Sequence, residues 1–265
     1  MGGLRRLEPS LREKVWGVTR LAPWFPDSEQ RIGEAWYQGE GEMPLLVKLI
    51  FTSEHLSVQV HPADGECEPR GKTEMWHILS AEKDAKIALG FREPITRDQL
   101  RESCATGAIE ELLNWFPVRA GETYFTPAHT VHAIGAGIVL CEIQQHCDVT
   151  YRLWDYGRPR EMHVEQAAAI ADLGIHPGSA KPEKVAEGRE LLVRSEHFVT
   201  ESVSLEPGGR LELPPEECQL LICIEGPAVI GGRAAGLGEV WRLPGDQPTT
   251  VEAGATARLL RTYVP

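Results

Sequence analysis

In Leu56-Ser57-Val58-Gln59-Val60-His61-Pro62, small apolar residues alternate with polar ones, the period of a half-buried strand. Side chains two apart on a strand share a face, so Gln59 and His61 point together into one cavity. After a turn rich in Gly, Pro and charge, Gly71-Lys72-Thr73-Glu74-Met75-Trp76 begins a second strand that carries Glu74 to the same place. A third piece, Gly121-Glu122-Thr123-Tyr124-Phe125-Thr126-Pro127-Ala128-His129-Thr130-Val131-His132, has the pattern of a strand, a Pro-bounded turn and a returning strand that delivers His132. One amide oxygen, two imidazoles and one carboxylate make a mixed donor set suited to zinc or another divalent first-row ion, with room for water. A lone buried His or Gln is more often a satisfied core residue than a ligand. The order and spacing of the four together make the metal reading.

That order, Gln-x-His and Glu followed by Gly-x5-Pro and His, resembles the cupin double-stranded barrel, which implies an all-β fold. Other strand-like runs agree: Leu45 to Phe51, Met75 to Leu79, Lys86 to Phe91, Thr123 to Thr126, Ile138 to Gln144 and Val149 to Trp154, separated by Gly, Pro, Asp and Ser. Two stretches have helical spacing. Thr96 to Phe116 has Leu100, Cys104, Ile109, Leu112, Leu113 and Phe116 at roughly helical spacing, broken at Gly107, and Val164 to Leu173 is Ala-rich and stops at Gly174. Residues 174 to 190 have linker composition, after which strands resume at Leu191 to Val193, Phe198 to Leu205 and Leu220 to Ile224. A faint repeat relates Gly238-Glu239-Val240-Trp241-Arg242-Leu243-Pro244 to Gly121-Glu122-Thr123-Tyr124-Phe125-Thr126-Pro127. We therefore expect two cupin-type jelly-roll barrels. Residues 1–175 form a catalytic barrel with a small helical insertion near 96–116, residues 176–190 a linker, and residues 191–265 a second, metal-free barrel. Residues 191–265 have one histidine, His197, so the metal site is expected only in the first barrel.

The 265 residues suffice for one large domain or two modest ones, and their net charge of -12 argues against non-specific nucleic-acid binding. An anionic substrate would then need a local cluster of Lys and Arg. Residues 1 to 20 carry charges throughout, and no stretch approaches the ~20 apolar residues of a membrane span, so a cytoplasmic protein without a membrane partner is expected. The six cysteines show no Cys-x-x-Cys pairing. Cys141, Cys218 and Cys223 sit in or near apolar runs and read as buried hydrophobes with reduced thiols.

Beyond His132, the segment Glu142-Ile143-Gln144-Gln145-His146-Cys147-Asp148-Val149-Thr150-Tyr151-Arg152-Leu153-Trp154-Asp155-Tyr156-Gly157-Arg158 closely resembles the short bacterial form of class I mannose-6-phosphate isomerases. Ile32-Gly33-Glu34-Ala35-Trp36, Pro44-Leu45-Leu46-Val47-Lys48 and Pro159-Arg160-Glu161-Met162-His163-Val164 are similar to that family as well, so the resemblance runs from about Trp16 to Leu173. It implies a zinc enzyme, one ion per chain, that interconverts mannose 6-phosphate and fructose 6-phosphate. The implied ligands are Gln59, His61, Glu74 and His132, with Arg152 as the active-site arginine and Ser57 and Lys72 beside substrate and phosphate. Three positions depart from the family: His129 where Gly is usual, His77 where Tyr is common, and Cys147 where Ser is common.

The reaction asks for these residue types on its own terms. Moving a proton between C1 and C2 through an enediolate needs a base, stabilisation of an oxyanion and protection from water. Arg152 offers a fixed cationic fork, and Glu142 and Asp148 are carboxylates on one segment. Glu142 is the preferred base, because an apolar flank of Leu140, Cys141 and Ile143 would raise its pKa. Two other readings fit the same fold, an iron-dependent cupin oxygenase and a non-catalytic sugar-binding cupin. Neither requires a phosphate-binding lysine or a placed base.

Overall fold

The computed structural model of the chain describes residues 3–39 and 43–265. Twenty-two strands and three short helices occur among them, arranged in four antiparallel sheets. No helix among the described residues is long and apolar enough to cross a membrane.

A six-stranded sheet runs in the order Pro9–Val18, Ile32–Tyr37, Leu45–Phe51, Ile138–Gln145, Glu74–Ala81, Thr123–Thr126. Its central strand Leu45–Phe51 is buried along its whole length, because both faces of the sheet are covered. On one face Met75, Cys141, Ile143 and Phe51 pack against Leu220, Ile222 and Leu260 of a seven-stranded sheet and against Phe198, which precedes its strand Val199–Leu205. On the other, Trp76, Ile78 and Leu140 pack against Ile87, Leu89 and Ile134 of a five-stranded sheet. The five-stranded sheet, ordered Tyr151–Trp154, Val58–Val60, His132–Ile134, Lys86–Phe91, Leu113–Pro117, turns Val58, Val60 and Ala133 toward the helices. The seven-stranded sheet carries a four-stranded one on its far side, with Leu221, Trp241 and Leu259 facing Ile230 and Val251.

Helix α1 (Arg97–Thr106) begins with a capping box at Thr96 and Gln99 and ends at Gly107 in the left-handed region, φ 80°. Helix α2 (Ile109–Leu112) is a single turn, and α3 (Val164–Ile170) ends three residues short of Leu173. The helical reading of Thr96 to Phe116 is corrected at its end: Leu113–Pro117 is a strand, paired with Lys86–Phe91. Leu113 and Phe116 satisfy a helical period, but an available sheet edge decides their conformation.

Two placements bear on the domain reading. Arg5–Leu7 pairs with Val240–Arg242, so the chain's first strand belongs to the seven-stranded sheet. The segment read as a linker, 176–190, contains the strand Glu183–Ala186, which pairs with Arg189–Arg194 at the edge of that sheet.

Candidate metal centre and its cavity

Strand alternation sets the centre. Val58 and Val60 face the helices, which turns Gln59 and His61 the other way, toward the six-stranded sheet. His132 pairs with Gln59 on the neighbouring strand. Glu74 opens the strand Glu74–Ala81, opposite Gln144. His61, Glu74 and His132 are all buried, and one ligand atom from each lies within 4.8 Å of the others. His132 Nε2 is 3.6 Å from Glu74 Oε1, and His61 Nε2 is 3.8 Å from Glu74 Oε2. Ligands at tetrahedral zinc, about 2.0–2.2 Å from the ion, stand roughly 3.3–3.6 Å apart, so little adjustment is needed.

Three further features fit a cation. His61 Nδ1 donates to the Val149 carbonyl and His132 Nδ1 to the Thr130 carbonyl, each at 2.8 Å. A carbonyl only accepts, so both Nδ1 atoms carry the proton and both Nε2 lone pairs point into the centre, as metal-bound histidines require. Burial holds both imidazoles neutral, His132 down to about 4 and His61 well below its ordinary value. Glu74 Oε1 is buried without any hydrogen-bond partner, and burial together with the Glu142 charge pushes Glu74 upward despite Lys72 beside it. A carboxylate oxygen in that position is short of a positive partner. Gln59 completes the set: its Nε2 lies 3.4 Å from His61 Nε2 and 3.3 Å from His132 Nε2, while Ser57 Oγ donates to its Oε1 at 3.0 Å. A half-turn of the amide presents oxygen to the centre, and the serine hydroxyl, donor and acceptor alike, pairs with either end.

Lys72 is buried beside this set. Its ammonium donates to Glu74 Oε2, lies 3.3 Å from His61 Nε2 and 3.5 Å from Glu142 Oε1. The segment between His61 and Lys72 is held by Asp64, whose Oδ1 accepts from Gly71 N at 2.6 Å and from Gln145 Nε2 at 3.0 Å. Gly71 passes so close to Ala63 that a Cβ would stand 2.4 Å from its carbonyl carbon, which leaves room only for glycine.

Glu142 differs from expectation. Cys141 and Ile143 point to the opposite face of the strand, into the core against the seven-stranded sheet, so they do not form its surroundings. Glu142 accepts from Lys48 Nζ at 2.9 Å and from Trp76 Nε1 at 3.1 Å. Burial raises its pKa, but Lys48, Lys72 and these hydrogen bonds outweigh it and hold Glu142 well below the usual carboxylate range. Lys48 was missed in the sequence. Its signal is a lysine in the middle of an otherwise apolar run, Leu45 to Phe51, which a buried strand tolerates only with a partner.

The cavity beside the centre has a volume of about 320 Å³. Ser57, Lys48, Lys72, Asp148, Arg152 and Arg160 are among its lining residues, a local excess of cations in an acidic chain. Arg152 donates to the Glu161 carbonyl at 2.7 Å and leaves Nε buried without a partner. Arg160, also missed in the sequence, is held by Asp155 through contacts of 2.5 and 2.6 Å. Asp148 is exposed at the rim, and Arg152 is held by the Glu161 carbonyl rather than by this neighbouring carboxylate. His129 stands apart, with Nε2 2.6 Å from Glu66 Oε2. A larger cleft of about 850 Å³, lined by Pro127, His129, Ile170 and His176, holds none of the cluster, and both of its histidines already have partners.

No protein-family model matches the chain. The chain is 34% identical over 216 residues to the mannose-6-phosphate isomerase ManA of Bacillus subtilis, covering 64% of this chain and 68% of that protein. It is 40% identical over 225 residues to the mannose-6-phosphate isomerase of Streptococcus mutans, covering 66% and 70%. A crystal structure of the mannose 6-phosphate isomerase from Bacillus subtilis superposes with a TM-score of 0.87 at 26% identity, over 99% of this chain and all of the other.

Proposed function

The chain belongs to the mannose-6-phosphate isomerase family, of the class I cupin type, and on that premise we propose that its reaction takes place in the cavity around His61, Glu74 and His132, with one zinc ion per chain. The activity is the interconversion of mannose 6-phosphate and fructose 6-phosphate. The observation that carries the site is the buried pair of imidazoles, each tied through Nδ1 to a carbonyl, converging on an unpartnered oxygen of Glu74.

Gln59, His61, Glu74 and His132 would hold the ion, and mixed N/O donors of this kind suit zinc. When bound, it supplies a positive charge that polarises sugar oxygens. Arg152, with no carboxylate partner among the described residues, binds phosphate or developing oxyanion charge, and Ser57 and Lys72 complete the substrate contacts. Glu142 takes the proton from carbon. Held low by two lysines, it is a weak base, so the barrier must be lowered mainly by stabilising the oxyanion, for which Lys72 and Arg152 are placed. Asp148, exposed at the rim of the cavity, is the second carboxylate available to the reaction.

We read the six- and five-stranded sheets as one jelly-roll barrel within residues 1–175, and the four-stranded sheet with most of the seven-stranded one as a metal-free second within residues 191–265, joined through 176–190; Arg5–Leu7 and Glu183–Ala186 add strands to the second from outside those bounds. The location is cytoplasmic and the partner a small sugar phosphate. The test is metal analysis of the purified protein combined with an assay for fructose 6-phosphate formed from mannose 6-phosphate. About one zinc per chain and metal-dependent turnover support the reading. Iron-dependent oxygen consumption without isomerisation would replace it with an oxygenase.

A further inference from the structure

Two of the six cysteines lie side by side next to the cavity. Cys67 Sγ and Cys147 Sγ are 4.0 Å apart, although 80 residues separate them in the chain. Cys67 lies in the segment that joins His61 to Lys72, is half-buried, and donates to the Arg70 carbonyl at 3.0 Å. Cys147 is buried two residues before Val149, whose carbonyl fixes His61, and its sulfur accepts from Val149 N at 3.4 Å. The two segments are already docked: Asp64 accepts from Gln145, and Gln145 in turn accepts from Thr73 N at 2.9 Å.

We propose that Cys67 and Cys147 are an oxidisable dithiol whose disulfide staples together the two segments that hold His61 and Lys72 in place. A disulfide needs sulfurs about 2.05 Å apart, so closure requires a movement of about 2 Å, shared between two irregular segments rather than forced on a sheet. The oxidant is a small-molecule disulfide. The Cys67 thiolate attacks one of its sulfurs and expels a thiolate, which takes up the proton. Cys147 then attacks the Cys67 sulfur, forming the internal bond and releasing the second small thiol. Two protein thiols are oxidised and one external disulfide is reduced to two thiols. Burial, the neighbouring Cys147 and the acids Asp64 and Glu66 push the Cys67 thiol up to about 12. Exchange is therefore slow at neutral pH and faster in alkali.

The test incubates the zinc-loaded protein with excess glutathione disulfide at pH 8. Titratable thiols should fall from six to four, peptide mapping should find Cys67 joined to Cys147, and dithiothreitol should restore all six. Cys147→Ser should form no internal link. A stable glutathione adduct on Cys67 without the link, or equal thiol loss in Cys147→Ser, overturns the proposal. The linked protein should yield its zinc to a chromogenic chelator at least threefold more slowly and unfold several degrees higher. Equal release rates and equal midpoints with the link in place overturn the staple. The release measurement rests on the zinc reading above, whereas linkage and midpoint do not. A protein that binds no zinc therefore refutes that reading alone.

Discussion

His129 and His132 are separated by two residues, yet the backbone gives them different work. His129 has a φ of 72°, a conformation that favours glycine, and its ring meets Glu66 at the edge of the site. His132 lies on a strand with its Nε2 in the centre. His132→Ala should abolish metal binding, and His129→Gly should leave metal content and turnover close to normal; elemental analysis of both variants with parallel assays checks this, and the reverse pattern would refute the site. Glu142 is the common counter-charge of Lys48 and Lys72, so Glu142→Gln fits the space but not the charge. It should cost about 3–5 kcal/mol in urea unfolding at pH 7, besides slowing exchange of the C2 hydrogen with solvent. An unchanged midpoint would show the lysines compensated elsewhere. Proton linkage gives a further expectation for the metal-free protein. His61, His77 and His132 are held neutral by burial, His77 and His132 at about 4. Between about pH 4 and the unfolded value near 6.5, the unfolded chain binds protons that the folded chain refuses, so stability rises with pH. Glu74, pushed upward, acts in the opposite sense and offsets one of the three. Urea midpoints should therefore climb from pH 4.5 to 6.5, and a flat profile would mean that the imidazoles protonate in place.

At the scale of elements, a turn and a helix cap separate function from stability. Thr96→Ala removes the capping box of α1, remote from the cluster, and should lower stability by about 0.5–2 kcal/mol with metal content unchanged. Gly71→Ala drives a Cβ into the Ala63 backbone in the segment that sets Lys72, and should lose metal and activity together. Equal effects of the two on metal content would remove the special role of that turn. The same comparison shows what could be seen in the chain beforehand. Leu45 to Phe51, Lys86 to Phe91 and Thr123 to Thr126 match observed strands to the residue, because Gly, Pro and charge bound apolar runs there. Gln59, His61 and Glu74 were visible because polar side chains interrupt those runs at positions that share a face. Leu113–Pro117 was hidden, since its apolar residues fit a helical period as well and only pairing with Lys86–Phe91 settles it. The environment of Glu142 was hidden for a related reason. Chain neighbours on a strand point away from each other, and the residues that matter, Lys48 and Trp76, arrive from adjacent strands.

The whole molecule repeats one device. In Gly121-Glu122-Thr123-Tyr124, Tyr124 OH donates to Glu122 Oε2 at 2.9 Å; in Gly238-Glu239-Val240-Trp241, Trp241 Nε1 donates to Glu239 Oε2 at 3.0 Å. Both glycines have positive φ, 90° and 79°, and both glutamates cap the turn through a backbone N–H, from Arg119 and Gly236. The faint sequence repeat is thus a shared turn. A shared turn does not make the two parts of the chain separable. Leu45, Val47, Leu49 and Phe51 are covered by Phe198, Leu220, Val240 and Leu260, Tyr37 OH donates to the Gly238 carbonyl at 2.5 Å, and Arg5–Leu7 finds its partner in Val240–Arg242. Ending the chain at residue 175 would strip the outer face of the six-stranded sheet and leave that first strand unpaired. Exposed apolar area of this kind associates, and an unpaired edge adds a template for it. Residues 1–175 expressed alone, although they carry every residue assigned to the centre and its cavity, should therefore be insoluble or lack cooperative unfolding. A soluble 1–175 monomer with a sharp thermal transition and bound zinc would show that the second half is dispensable to the fold of the first.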